Sequence, residues 1–364
     1  MRSDSRTALP PGRNGAIDFL RFMASVILVM HHYQQVYNVF IDNGVNFYSG
    51  HFYWGLLVDL FFVISGFFLL SAIKSIAGGR LGFKDYYLHR AVRLLPLVGV
   101  TAIIYFIVNN YVYFSIMGEY YKARSTGTEL VLSMLGMQVG WANLEGSHLN
   151  PPMWYISALL IAFVVLFLLA KISGKAKISF IYPVIGLILL SMAGDLFGIE
   201  LPFFQTDARR AYIDVSVGLL LASFLEKHKF KGLKYLILLP FLTVGAILYV
   251  FALDAQRQLF QQYALVFLFF PAVMIIFNSE QAKRLFSAKI WNVLGGASFD
   301  TYVLHVLILL LIRCADKYWG FGLNFSNWWL EYLICLIIFA IGILSYKFVE
   351  PRLRILAEKA VSFL

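Results

Sequence analysis

Of 364 residues, 60% are apolar and only 14% are charged, a balance that excludes a water-soluble domain and points to a chain immersed in lipid. Its formal charge of +10 is then a signal of membrane sidedness rather than a nucleic-acid footprint, because Lys and Arg accumulate in cytoplasmic loops. Cys314 and Cys335 are too few for a disulfide framework and lack metal-ligand spacing.

A crossing helix needs about 20 mostly apolar residues. Ten such stretches follow one another, at 17–38, 52–73, 94–114, 152–171, 178–197, 211–225, 234–253, 260–278, 290–312 and 328–348. The bilayer core offers no water to backbone groups, so runs this long and continuous are helices; barrel strands would be half the length and alternate in polarity. The polar first 14 residues and the absence of a small-residue cleavage pattern predict that the first span is retained. With the N-terminus inside, all Lys and Arg fall on the cytoplasmic side except Lys122, Arg124, Arg209, Arg210, Arg257, Arg313 and Lys317. The expected fold is therefore all-α, a polytopic integral membrane helical bundle of about ten transmembrane helices with both termini cytoplasmic. Residues 1–16 form an N-terminal cytoplasmic segment, 17–350 the membrane domain and 351–364 a cytoplasmic tail. Segment 128–142 is apolar but too short to cross, so it is expected to be re-entrant or interfacial.

The first span carries Asp18, Arg21 and His32. An offset of eleven residues brings Arg21 and His32 within roughly 20° of one helix face and about 16 Å apart along the axis. Ionisable groups at membrane depth mark reaction sites or pathways as often as structural anchors, and an i,i+3 Asp18–Arg21 pair with an interior histidine is the structural alternative. His32 suits general-base work, and His31, about 100° away, suits a structural place.

In the second span, Ser65 and Gly66 interrupt FFVISGFFLL. Close helix packing through small residues is the reading that the sequence favours, over a local unwinding that bares N–H groups. Before the third span, Arg90 and Arg93 stand one helical turn apart in FKDYYLHRAVRLLP, fit for phosphate, although anionic lipid headgroups are the commoner partner of such a pattern. Trp141, His148 and Trp154 fall near the outer face, where aromatic belt residues collect. The ninth span places Asp300, Tyr302 and His305 at depth, in its inner half, where polar groups need partners.

These patches, in this order, resemble the integral membrane acyltransferase 3 family, the O-acetyltransferase type acting on bacterial surface carbohydrates. IDFLRFMASVILVMHH matches the family's opening, with Arg21 and His32 as its Arg, ten residues, His pair. FFVISGFF is close to its Phe-Phe-x-x-Ser-Gly-Phe signature and HRAVRLLP to its Arg-x-x-Arg patch. PPMWYISALLIAF resembles its Trp-containing helix start, SFDTYVLH its Tyr-x-x-His segment and FVEPRLR its C-terminal ending. Two departures stand out. Phe19 and Phe22 replace the glycines that often flank the first Arg, and apolar residues after Trp154 replace a Glu pair, which removes any carboxylate catalyst there.

The resemblance implies an enzyme of a bacterial inner membrane that transfers an acyl group, most often acetyl from acetyl-CoA, to a hydroxyl of a surface saccharide or glycolipid. It implies His32, Arg21 and Asp18 as catalytic residues, and Arg90, Arg93, Ser65 and Gly66 at the acyl-CoA. Trp154, His148, Tyr302 and His305 would meet the acceptor. No metal is expected, and the partners are acyl-CoA, the acceptor, membrane lipid and a separate periplasmic protein as an option, with no nucleic acid. A transporter or flippase of a lipid-linked saccharide or anionic metabolite is the second reading, and a non-catalytic lipid sensor the third. Transport predicts paired broken helices, and the sequence offers one interruption.

Overall fold

The computed structural model describes residues 13–48, 50, 52–140, 149–230, 232–251 and 255–362. Helix α1, Gly15–Tyr37, begins where the Asn14 side chain accepts from the N–H groups of Ala16 and Ile17, and ends at Asn38 in the left-handed region. Helices α2, Val58–Phe67, and α3, Leu70–Ala77, are bent by 45° relative to each other. Helix α4, Phe83–Met117, contains Pro96 and a π-helical turn at Val108–Tyr113. Helix α5, Gly127–Met134, opens on a capping box between Thr126 and Glu129. Its eight residues rise only about 12 Å, against a hydrocarbon core of about 30 Å, so this segment does not cross.

The remaining helices are α6, Trp154–Ala176; α7, Ile181–Leu196; α8, Thr206–Lys227; α9, Leu238–Phe251; α10, Leu259–Phe277; α11, Glu280–Leu285; α12, Lys289–Trp319; and α13, Trp328–Ser362. Among the described residues, each of the ten apolar stretches is largely helical, and six helices are long and apolar enough to cross a membrane, or seven with the bent α2–α3 pair. Helix α13 continues without a break past residue 350, so the expected tail extends the last helix.

Helix α8 is excluded from that group by Asp207, Arg209, Arg210 and Asp214, yet Ala211, Ile213 and Val215 are wholly buried. Other helices surround it, which is how a helix with four charged residues in three turns sits in the bundle. It meets α2 at small residues. A Cβ on Gly66 would collide with the carbonyl oxygen of Val215, and one on Gly218 with that of Val63. Helices α1 and α12 approach in the same way, with Gly295 seated against the backbone of Asp18. The largest core cluster joins α2, α4, α6, α7 and α8 through Phe62, Tyr86, Phe163, Val184 and Val215.

Contacts at its two ends tie α1 to the last helices of the chain. At one end the Asn14 side chain donates to that of Asn278 at 3.2 Å, and Arg13 to the carbonyl of Asn292 at 3.2 Å. At the other, Asp42 donates to the carbonyl of Ser326 at 3.1 Å, and Gln34 to Glu331 at 2.7 Å.

Candidate functional site

Two cavities stand back to back along the bundle. The first, of about 310 Å³, is reached by Arg21 of α1, His89, Arg90 and Arg93 of α4, and Ser65 of α2. Phe61, Phe68, Leu94, Leu159 and Phe299 supply apolar wall. Arg90 is fixed in place: it donates to the carbonyl of Tyr86 at 2.7 Å and lies over the rings of Tyr86 and Phe163, 4.0 and 5.1 Å from their centroids. Three guanidiniums and an apolar shaft make a cavity suited to a phosphorylated ligand with a slender apolar arm.

Asp18 sits at this end, but its principal partner is Arg13. That side chain donates to both carboxylate oxygens, at 2.6 and 3.1 Å, whereas Arg21 stands 3.7 Å away. The expected Asp18–Arg21 pair is thus the weaker half of a three-residue cluster. Arg21 keeps N–H groups for the cavity because Arg13 takes up the carboxylate.

The second cavity, of about 280 Å³, is lined by His32, Gln35, Tyr53, Lys122, Trp154, Asp207 and Arg210 among others. Val58 and Tyr302 line both cavities and form the wall between them. The Tyr302 hydroxyl donates to the carbonyl of Pro152 at 2.7 Å, which pins that wall. His32 places its Nδ1 2.8 Å from the carbonyl of Leu28. A carbonyl only accepts, so Nδ1 carries the proton and the neutral ring has its lone pair on Nε2.

Across from it, the ring of His305 of α12 lies 4.8 Å away, centroid to centroid, and His31 lies 5.2 Å away. His305 is wholly buried, with Nδ1 2.6 Å from the carbonyl of Tyr302 and Nε2 without a hydrogen-bond partner among the described residues. It therefore backs His32 and does not line the cavity, in contrast to the acceptor contact expected of it. His31 also lines this cavity, and its Nδ1 donates to the carbonyl of Phe47 at 2.9 Å.

Ser65 and Gly66 divide. Ser65 lines the first cavity, but its hydroxyl donates to the carbonyl of Phe61 at 2.7 Å. Gly66 faces α8 and not the cavity. The bend lies just beyond, where the N–H groups of Phe68 and Leu69 donate to Ile64 and Gly66. Gly66 itself packs closely against the backbone of Val215 on α8, in line with the reading that the sequence favours. Trp154 and Tyr302 both reach the second cavity. His148 and Trp141 lie outside the described residues.

A cluster missed from the sequence stands beside Trp154. Arg210 donates to Asp59 at 2.5 Å and lies 5.2 Å from the Trp154 ring centroid. Asp214, one helical turn further along α8, is wholly buried, and among the described residues neither of its oxygens meets a hydrogen-bond partner. The signal was available, because ionisable residues inside apolar helices are functional candidates by default. It was lost because the sixth apolar stretch starts at 211, one residue after Arg210. Lys122, in the loop between α4 and α5, completes the wall; desolvation of its ammonium lowers its pKa from the ordinary lysine value.

The geometry defines a class: a multi-pass helical membrane protein with a cationic cavity on one side of its core and a histidine-bearing one on the other. Residues 14–347 match the acyltransferase 3 family, described as an acyltransferase domain, and the chain belongs to that family of membrane acyltransferases. No curated protein and no solved structure matches the chain.

Proposed function

We propose that the protein transfers an acyl group, acetyl by preference, from acyl-CoA in the Arg21/Arg90/Arg93 cavity to a hydroxyl of a surface saccharide or glycolipid in the His32 cavity. The single observation that carries this reading is the pair of cavities sharing Val58 and Tyr302, with cations on one side and a basic imidazole on the other. The basic-loop rule makes the arginine side cytoplasmic, where acyl-CoA resides, and the His32 side external. The arginines hold the phosphates of CoA, while its pantetheine arm runs along Phe61, Leu159 and Phe299 toward the shared wall.

His32 Nε2 takes the proton of the acceptor hydroxyl as its oxygen bonds to the thioester carbon. The carbon–sulfur bond then breaks, and the imidazolium returns the proton to the CoA thiolate. The Nδ1–H bond to Leu28 holds the ring in the required tautomer, and the buried His305 ring fixes its tilt. The protein would thus act in a bacterial inner membrane in polysaccharide modification.

The test is transfer from radiolabelled acetyl-CoA in membranes bearing wild type or His32→Ala, with folding of both verified and glycans fractionated. A positioned base is worth about 10²–10⁴ in rate. Label reaching a glycan fraction with wild type, and reduced by that factor in the variant, is expected. Equal labelling by a well-folded variant would remove His32 from the chemistry.

A further inference from the structure

The His32 cavity adjoins another on the same side. This neighbour, of about 270 Å³, is lined by Tyr105, Asn109, Tyr121, Arg124 and Glu129, and it shares Lys122 and Pro151 with the His32 cavity. Alone, each chamber falls just below the roughly 300–1,000 Å³ usual for a small-molecule site; joined, they reach well into that range.

The seam is built. Lys122 and Asn150, the residue before Pro151, both adopt left-handed backbone, with φ of 64° and 56°. Asparagine visits this region readily, but for a residue such as Lys122 it costs about 1 kcal/mol or more and persists only where the surroundings enforce it. The enforcement comes from the π-helical turn of α4, which aims two successive asparagines at one loop. Asn109 accepts from the N–H of Tyr121 at 2.9 Å and donates to the carbonyl of Ala123 and the hydroxyl of Ser125. Asn110 pairs with both backbone groups of Ser125 at 2.8 and 3.0 Å. On the facing side, wholly buried Asn150 donates to the carbonyl of Val303 at 3.0 Å. π-Helical turns concentrate at functional sites.

Charge at the seam is mixed. Asp207 lines the His32 cavity and Glu129 the adjoining one, Arg210 is paired with Asp59, and one Glu129 oxygen accepts from the N–H of Thr126 at 2.7 Å. Lys122 lies 5.9 Å from the Tyr121 ring centroid and makes no ion pair among the described residues. Arg124 adds a second cation to the adjoining chamber. A rigid wall whose shared ammonium has no ion pair among the described residues, flanked by tyrosine rings, offers a contact point for an anion on a ligand that spans both chambers.

We propose that the two chambers form one acceptor site for an anionic glycan of at least two sugar units, its carboxylate or phosphate on Lys122 and its acylated hydroxyl at His32. This rests on the acceptor side assigned above.

The full-length protein in lipid nanodiscs, with acetyl-CoA, is to be assayed on a neutral disaccharide, on the same disaccharide bearing a uronate or a phosphate, and on the uronate monosaccharide. Wild type should favour one charged disaccharide in kcat/KM, and whether the uronate or the phosphate is favoured identifies the anion. Lys122→Gln should lower the charged-to-neutral ratio about tenfold or more, through KM, and Lys122→Arg should restore it. In parallel, mass spectrometry should find Lys122 shielded from an amine-reactive reagent by the charged disaccharide and not by the neutral one. An unchanged ratio in Lys122→Gln, equal use of the monosaccharide, or no shielding would overturn the proposal. Shielding without transfer to any acceptor would leave the glycan site standing and sink the acyltransfer assignment; transfer without shielding would do the reverse.

Discussion

Removing Arg210 tests whether the Asp59–Arg210–Asp214 cluster holds α2, α6 and α8 together. The Asp59 side chain is wholly buried and that of Arg210 is 17% exposed, at 2.5 Å from it. Deleting one partner of a buried pair costs about 3–5 kcal/mol, because the remaining charge is stranded. A stranded carboxylate has one escape, to bind a proton. From the ordinary aspartate pKa of about 3.9, at about 1.36 kcal/mol per unit, protonation at pH 7 costs about 4 kcal/mol, which caps the loss. Arg210→Ala is therefore expected to lose about 3–4 kcal/mol at pH 7. A carboxylate that is protonated only in the folded state stabilises less as pH rises above its unfolded pKa. The deficit of the variant should therefore shrink by about 1.4 kcal/mol for each unit by which the pH is lowered from 7. Asp59→Asn combined with Arg210→Ala removes both charges and should recover most of the loss. The assay is reversible denaturation in mixed micelles at pH 5, 6 and 7, read as a double-mutant cycle. A single variant within about 1 kcal/mol of wild type, or a pH-independent deficit unrelieved by Asp59→Asn, would refute the reasoning.

Two further predictions concern the donor cavity and the α2–α8 contact. Arg93→Ala should raise KM for acetyl-CoA about tenfold or more with kcat little changed, and Arg90→Lys should do as much damage, because an ammonium cannot reproduce the stack on Tyr86 and Phe163. Acetyl-pantetheine, which lacks the nucleotide phosphates, is the control; an equal loss with it would mean that these cations do not hold phosphate. Gly66→Ala should destabilise by about 1–3 kcal/mol, since its Cβ meets the Val215 carbonyl, as read from the same micelle denaturation. A loss below about 0.5 kcal/mol would show that α2 and α8 can part freely.

What could be read along the chain was whatever depends on a helix's own axis. Ten apolar runs became helices, and the rise from Arg21 to His32 placed them at different depths of one face, which is why they line different cavities. Arg90 and Arg93, one turn apart, likewise reach one cavity together. The family resemblance was legible too, since it rests on order and spacing, and it is the family the chain belongs to.

Periodicity fixes a side chain's angle about its own helix and is silent on which neighbour that angle faces. Only packing decided that Asp18 prefers Arg13 over Arg21, that His305 of α12 backs His32, and that Gly66 turns to α8. The same holds for Arg210. Hydropathy, which averages over windows, left it outside the sixth span because its charges dilute that signal, yet the bundle encloses it between Asp59 and Trp154. A charge belongs inside a membrane protein when partners on other helices satisfy it, and those partners are set by tertiary contacts that no local stretch of sequence contains.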